Sequence, residues 1–270
     1  MTSKNQPIGV FDSGIGGLSI LKALRAELPH ESFVYIADSG NAPYGEKGDA
    51  FVIVRSRALT RTLIDQYGIK ALVVACNTAT AAAVHVLRAE FPNLPLVGVE
   101  PALKPAVTLS KTKRIGVMAT RGTLESAKFA ALKASLADQA EFIIQPCDGL
   151  AAAIEQQDTP KIIALLIINT PAISQFGTKN GQIDTLVLGC THYPFISDLL
   201  RVHTGTDVLY IDTGIPVARQ TRRLLKVAGT LNTSADLGDL QLFTTGDLRS
   251  FKTLSRLWLN LPECVEISKT

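Results

Sequence analysis

Along the 270-residue chain, short apolar runs alternate with longer stretches in which apolar residues recur every three or four positions. The runs at 7–11, 32–37, 71–75, 96–99, 114–118, 141–145, 185–188 and 208–211 are rich in Val, Ile and Leu. Near-continuous apolarity over so few residues suits strands buried on both faces, which belong to parallel sheets covered by crossover helices. Between them Leu18, Leu21, Leu24 and Leu28 keep one face of a helix, and Phe51, Val54, Ala58, Leu59 and Leu63 keep another. The pattern predicts an α/β protein.

A second regularity has a period of about 110 residues. Ile8-Gly9-Val10-Phe11-Asp12-Ser13-Gly14 is answered by Ile115-Gly116-Val117-Met118-Ala119-Thr120-Arg121-Gly122, and Val73-Val74-Ala75-Cys76-Asn77-Thr78 by Val187-Leu188-Gly189-Cys190-Thr191-His192. Val97-Gly98-Val99-Glu100 is answered by Leu209-Tyr210-Ile211-Asp212. From Ile8 to Cys76 is 68 positions and from Ile115 to Cys190 is 75; from Cys76 to Glu100 is 24 and from Cys190 to Asp212 is 22. The repeat predicts two pseudo-symmetric lobes, each a mostly parallel sheet flanked by helices, with an active site between them. The expected first lobe comprises 1–97 and 208–270, and the second 98–207.

Composition narrows the function classes. Hydrophobic residues make up 46% of the chain, enough for a substantial core, and a net charge of +3 with scattered Lys and Arg gives no nucleic-acid or membrane footprint. The N-terminal residues show no apolar leader, and no run of 18 apolar residues occurs, so a soluble cytoplasmic chain is expected. The cysteines at 76, 147, 190 and 264 have neither zinc spacing nor the density of a disulfide scaffold, so all four are expected to be thiols.

Cys76 and Cys190 each end an apolar run and precede polar residues, where open α/β sheets bind ligands. Asn77, Thr78 and Thr191 are capping types, and a helix N-terminus favours a nearby thiolate. Cys147 and Cys264 lack that context and read as small buried hydrophobes. Asp12-Ser13-Gly14-Ile15-Gly16-Gly17 is no dinucleotide fingerprint, because the third glycine would fall on Ser19 and an acid at the strand end would repel a pyrophosphate. It reads as a tight turn placing Asp12 beside a thiol, with a plain helix N-cap as the competing account. Asn41-Ala42-Pro43-Tyr44-Gly45 is a turn by composition, and His192 is an acid/base candidate through its nearness to Cys190.

These residues carry a resemblance to the glutamate racemase family, within the aspartate/glutamate racemase superfamily. It spans nearly the whole chain in ordered blocks: 11–18, Ala42-Pro43-Tyr44-Gly45, Ala75-Cys76-Asn77-Thr78-Ala79, Val99-Glu100-Pro101-Ala102, Gly189-Cys190-Thr191-His192-Tyr193-Pro194 and Thr244-Thr245-Gly246-Asp247. The resemblance implies a PLP-independent racemase, without cofactor or metal, that inverts glutamate between thiols Cys76 and Cys190 and supplies D-glutamate for peptidoglycan. It implies Asp12 as the acidic helper of the first thiol, and His192 and Glu155 as helpers of the second. Substrate contacts are implied for Asp12, Ser13, Pro43, Tyr44, Gly45, Asn77, Thr78, Thr120, Thr123, Thr191 and His192. Ala119 stands where the family pattern Gly-Thr-x-x-Thr has glycine.

A homodimer is compatible with the resemblance, and contact with DNA gyrase, raised by some relatives, stays open. Alternatives are aspartate, hydantoin or another amino-acid racemase of the superfamily, a one-cysteine decarboxylase of this fold, and, outside enzymes of this type, a thiol redox or small-anion-binding module. Two cysteines speak against the decarboxylase.

Overall fold

The computed structural model describes residues 3–261 and 266–270; Cys264 lies outside them. The chain forms two compact units, Met1–Val99 with Gly214–Thr270, and Glu100–Thr213.

The first unit opens with β1 (Ile8–Asp12), α1 (Leu18–Glu27), β2 (Phe33–Ala37), α2 (Asp49–Tyr67), β3 (Ala71–Val74), α3 (Asn77–Glu90) and β4 (Leu96–Gly98). The second follows with α4 (Leu103–Leu109), β5 (Arg114–Ala119), α5 (Arg121–Leu124), α6 (Ala127–Ala134), β6 (Glu141–Pro146), α7 (Leu150–Glu155), α8 (Thr159–Ile173), β7 (Thr185–Leu188), α9 (Ser197–Thr204) and β8 (Leu209–Ile211). The chain then returns to the first unit with α10 (Gly214–Val227), β9 (Leu240–Thr244), α11 (Leu248–Leu259) and β10 (Glu266–Lys269).

Both sheets are parallel among the described residues. Their orders are β10-β9-β2-β1-β3-β4 and β6-β5-β7-β8. Within the first, β2-β1-β3-β4 has the same order of crossovers as the whole of the second, so the 110-residue repeat is a repeat of topology. The central strands β1 and β3 are buried throughout, as strands covered on both faces must be. Phe11, Ile36, Val74, Leu59, Leu63 and Leu87 share one core; Ile115, Val117, Val187, Leu103, Phe129 and Ile211 share the other.

Two features depart from the sequence pattern. The return to the first unit comes at Gly214 rather than at 208, because β8 pairs with β7 from Thr185↔Leu209 to Val187↔Ile211. Strands β9 and β10 have no counterpart among the predicted runs: β9 is interrupted by Gln241, and β10, at the sheet edge, consists of Glu266-Ile267-Ser268-Lys269, whose polarity hides it.

The returning segment is tied down by a buried ion pair. Lys70 and Glu31 lie 2.5 Å apart. Lys70 also donates to the carbonyls of Lys4 and Thr230, and Glu31 accepts from Asn232 N at 2.8 Å. Satisfying both charges with extra hydrogen bonds is the condition under which such a pair can be buried. Among the described residues no helix is long and apolar enough to cross a membrane.

Candidate active site

In the first unit the parallel register sets Asp12, at the end of β1, next to the segment leaving β3, where Ala75 N donates to Phe11 O at 2.8 Å. Cys76 follows in extended conformation and caps α3, its sulfur accepting from Ala79 N at 3.4 Å. The same thiol contacts Ser13 Oγ at 3.6 Å, and Ser13 Oγ donates to Asp12 Oδ1 at 3.4 Å. Asp12 therefore reaches the thiol through the Ser13 hydroxyl. Its other oxygen accepts from Gly17 N at 2.5 Å, which folds the turn between β1 and α1 over the carboxylate. Glycine is needed at 17, since a Cβ there would lie 2.6 Å from Asp12 Cβ and 2.8 Å from Tyr35 Oη.

Asn77 and Thr78 form the first turn of α3, both buried. Neither the carbonyl nor the amino group of the Asn77 side chain has a hydrogen-bond partner among the described residues. A buried primary amide left so is uncommon, and it offers a donor and an acceptor to a polar ligand.

Pro43, Tyr44 and Gly45 lie in a loop of two 3-10 turns, Ser39–Asn41 and Tyr44–Glu46, with a cis Ala42-Pro43 bond. Tyr44 is buried in the cluster that contains Cys76. Its hydroxyl donates to Asp38 Oδ2 at 2.6 Å, and burial together with the Asp38 charge pushes the phenol far above its ordinary pKa, so it stays a donor.

In the second unit Cys190 follows β7. Sequence reasoning expected it, like Cys76, to open a helix. The structure has a 3-10 turn, Tyr193–Ile196, in its place, and α9 begins only at Ser197. Pro194 lacks an N–H and so limits the amides that could point back at the sulfur. Side chains surround this thiol instead. Cys190 Sγ lies 3.7 Å from His192 Nδ1, and His192 Nε2 lies 2.7 Å from Glu155 Oε2 on α7. Burial pulls the His192 pKa down, but the hydrogen bonds and charges of Cys190 and Glu155 outweigh it and hold it well above the ordinary histidine value.

Cys147, at the end of β6, is buried, donates to Gln145 O at 3.5 Å, and has its pKa pushed up to about 12, by burial first and then by Cys190. It stays a neutral thiol. Cys76, Cys147 and Cys190 form no disulfides. Thr120 and Thr123, whose hydroxyls lie 2.9 Å apart, stand where β5 ends, and buried Thr191 follows Cys190. Ala119, where the family pattern has glycine, packs so close to Gly189 that a Cβ on the latter would lie 2.9 Å from its own. Among the described residues no three His, Cys, Asp or Glu side chains converge as metal ligands.

The structure thus groups Asp12, Ser13, Cys76, Asn77, Thr78 and Tyr44 in one unit, and Cys190, His192, Glu155 and Thr191 in the other. Sequence reasoning did not single out Asp38, Arg55 or Thr245 as site residues: Asp38 accepts from Tyr44, Arg55 and Thr245. An acid directly after the predicted strand at 32–37, matching Asp12 after the predicted strand at 7–11, was the signal available for the first.

Each of the two parallel α/β sheets carries, just beyond a central strand, a buried thiol with polar side chains around it, which makes this an α/β protein with a cysteine-bearing site in each unit. Residues 18–221 match the Asp/Glu/Hydantoin racemase family, and the chain belongs to that family. It is 48% identical over 251 residues to glutamate racemase of Ralstonia pickettii, covering 92% of this chain and 86% of that protein. Among solved structures it resembles glutamate racemase isoform RacE1 of Bacillus anthracis, with a TM-score of 0.85, 30% identity and 99% and 98% of the two chains covered. It also resembles the Francisella tularensis glutamate racemase in complex with D-glutamate, with a TM-score of 0.81, 28% identity and the same coverage.

Proposed function

We propose that the protein is a glutamate racemase that interconverts L- and D-glutamate without a cofactor, with Cys76 and Cys190 as its two acid/base groups and D-glutamate for peptidoglycan as its product. The observation that carries this reading is the pair of buried thiols at equivalent strand ends, each with its own helpers, in a chain of this family.

Inversion needs two groups, because a single base that returned its proton to the same face would regenerate the starting enantiomer. One thiolate takes the α-proton, and the electron pair of the broken C–H bond stays on the α-carbon. The thiol on the opposite face of that carbon supplies a proton, and a new C–H bond forms of opposite hand. The protonation states of the two sulfurs are then exchanged, which readies the protein for the reverse substrate.

Cys76 is helped by the α3 N-terminus and by Ser13 and Asp12, and Cys190 by His192 and Glu155. Asn77, Thr78, Ser13, Tyr44, Thr120, Thr123 and Thr191, with the backbone at Pro43 and Gly45, are the proposed substrate contacts. Neutral donors can hold the substrate carboxylates without neutralising a neighbouring thiolate.

The test is polarimetric or circular-dichroism assay of purified protein with L-glutamate, D-glutamate and aspartate without added PLP, alongside Cys76→Ala and Cys190→Ala. Glutamate inversion lost in both variants is the expected result. A folded protein that inverts aspartate but not glutamate would reassign the substrate, and full activity in either variant would end the two-thiol reading.

A further inference from the structure

Two buried acids stand at neighbouring strand ends of the first unit. Asp12 ends β1, Asp38 directly follows β2, and Asp38 N donates to Asp12 O at 2.9 Å. Their surroundings differ. The Asp38 carboxylate accepts from Tyr44 Oη at 2.6 Å, Arg55 Nη2 at 2.7 Å, Arg55 Nε at 3.0 Å, Thr245 Oγ1 at 2.9 Å and Asn41 Nδ2 at 3.0 Å. An ionised carboxylate has about four lone-pair positions, so these donors use all of its acceptor capacity. It holds groups in place and has no lone-pair position left for a further donor such as an ammonium group.

The groups it holds belong to three separate parts of the chain. Arg55 comes from α2 and grips the carboxylate with two parallel N–H donors, the arrangement that fixes orientation as well as distance. Thr245 follows β9, and its hydroxyl also accepts from Gly40 N at 3.0 Å. The contact is close on both sides: a Cβ on Gly40 would lie 2.7 Å from Thr245 O, and one on Gly246 would lie 2.8 Å from Ser39 Cβ. Asn41 and Tyr44 belong to the loop itself, and Tyr44 packs in the cluster of Cys76.

We propose that Asp38 and Arg55 are positioning residues of the reaction, which lock Tyr44 and the loop 39–46 against the Cys76 thiol and so set how tightly substrate is held. The inference rests on the proposed racemase reading, but it makes a separate claim about Cys76 that needs no substrate.

Two variants and two readouts test it. Asp38→Asn presents an amino group to donors and leaves the Arg55 fork without its second acceptor. Arg55→Lys keeps the charge but loses the fork, and because Arg55 is partly exposed the fold tolerates it even if Asp38→Asn does not fold. The expected kinetic result is a rise in KM for both enantiomers of about tenfold for Asp38→Asn and about threefold for Arg55→Lys, with kcat changed less than about threefold, the mark of lost uniform binding.

The second readout is the rate of iodoacetamide alkylation at Cys76, followed by mass spectrometry with Cys190 in the same molecule as reference. Release of Tyr44 raises the Cys76 to Cys190 ratio severalfold. A purely structural role lowers the melting temperature while leaving KM and this ratio at wild-type values, and that result overturns the proposal. A wild type inert towards glutamate removes the racemase reading, and the alkylation ratio still decides the role of Asp38 and Arg55.

Discussion

Cys76 and Cys190 occupy equivalent places in two sheets that share a four-strand order, yet their surroundings differ. Cys76 caps a 14-residue helix, takes a backbone N–H, and is linked to Asp12 through the hydroxyl of Ser13. Cys190 precedes a four-residue 3-10 turn and lies beside His192, whose far nitrogen is held by Glu155. A helix N-terminus contributes a fixed positive end that does not titrate, whereas an imidazole contributes a charge that depends on pH. The sulfur keeps the same place in the repeated topology, while the groups around it differ. On the proposed reading each thiol is the base in one direction and the acid in the other, so the two sulfurs do the same work in unlike surroundings.

The largest expected effects come from removing the sulfurs. Cys76→Ala and Cys190→Ala should each lower kcat/KM for glutamate by about 10³-fold or more, since each deletes one of two proton carriers. Comparable losses in the two variants would support equal partnership; retention of more than a tenth of the activity in one would make that thiol a bystander.

Helper substitutions come next, at about 10²-fold in kcat/KM. The equilibrium constant between enantiomers is one, so kcat/KM must fall equally in the two directions, and any asymmetry appears in kcat and in the deuterium isotope effects. Asp12→Asn is expected to slow kcat mainly in the direction in which Cys76 is the base, and Glu155→Gln or His192→Asn in the other. Progress curves from each pure enantiomer, with α-protio and α-deuterio substrate, read this directly. The same asymmetry from Asp12→Asn and Glu155→Gln would break the comparison.

The sequence made the thiol positions readable because a strand followed by Cys and a polar residue occurs twice at similar spacing. Sheet class and most strands were equally visible in the apolar runs around Val10, Val73, Val117 and Val187. Glu155 was identified only through resemblance, its neighbours Ala151, Ala152 and Ala153 being generic, and α7 carries it to His192. The edge strand β10 and its inner neighbour β9 were hidden by their partly polar sequences. The network around Asp38 was hidden for another reason: its members are separated by up to 207 positions, and no local pattern announces a partner that arrives from the end of the chain. The 3-10 turn after Cys190 was missed because Thr191 resembles a cap, while Pro194 decides the outcome.

A smaller effect tests the turn beneath Cys76. Gly17→Ala places a Cβ 2.6 Å from that of Asp12, so the turn must shift, at a cost of about 1–3 kcal/mol typical of overpacking. The measurement is urea denaturation, read together with kcat/KM. A stability loss accompanied by reduced activity ties the Asp12 carboxylate to the thiol through the Ser13 bridge. Unchanged stability would mean that the turn yields without cost and that glycine is not required there.

The smallest effect separates the two thiols by pH. His192 has its pKa raised in the folded protein, so its protonated form is favoured by folding. That contribution is complete below the unfolded histidine value of about 6.5 and is lost as pH rises through the higher folded value. Stability of the wild type should therefore decline as pH rises from 6 towards 9, whereas a His192→Asn variant should lose that part of the slope. Cys76 accepts from a backbone N–H, that of Ala79, and Asp12→Asn leaves His192 and Glu155 untouched, so that variant should keep this slope. Melting temperatures across that range for the wild type and both variants provide the measurement. Parallel curves for wild type and His192→Asn would show that the imidazole is neutral in the folded state, and the charge of Glu155 would then have to be balanced by a proton of its own.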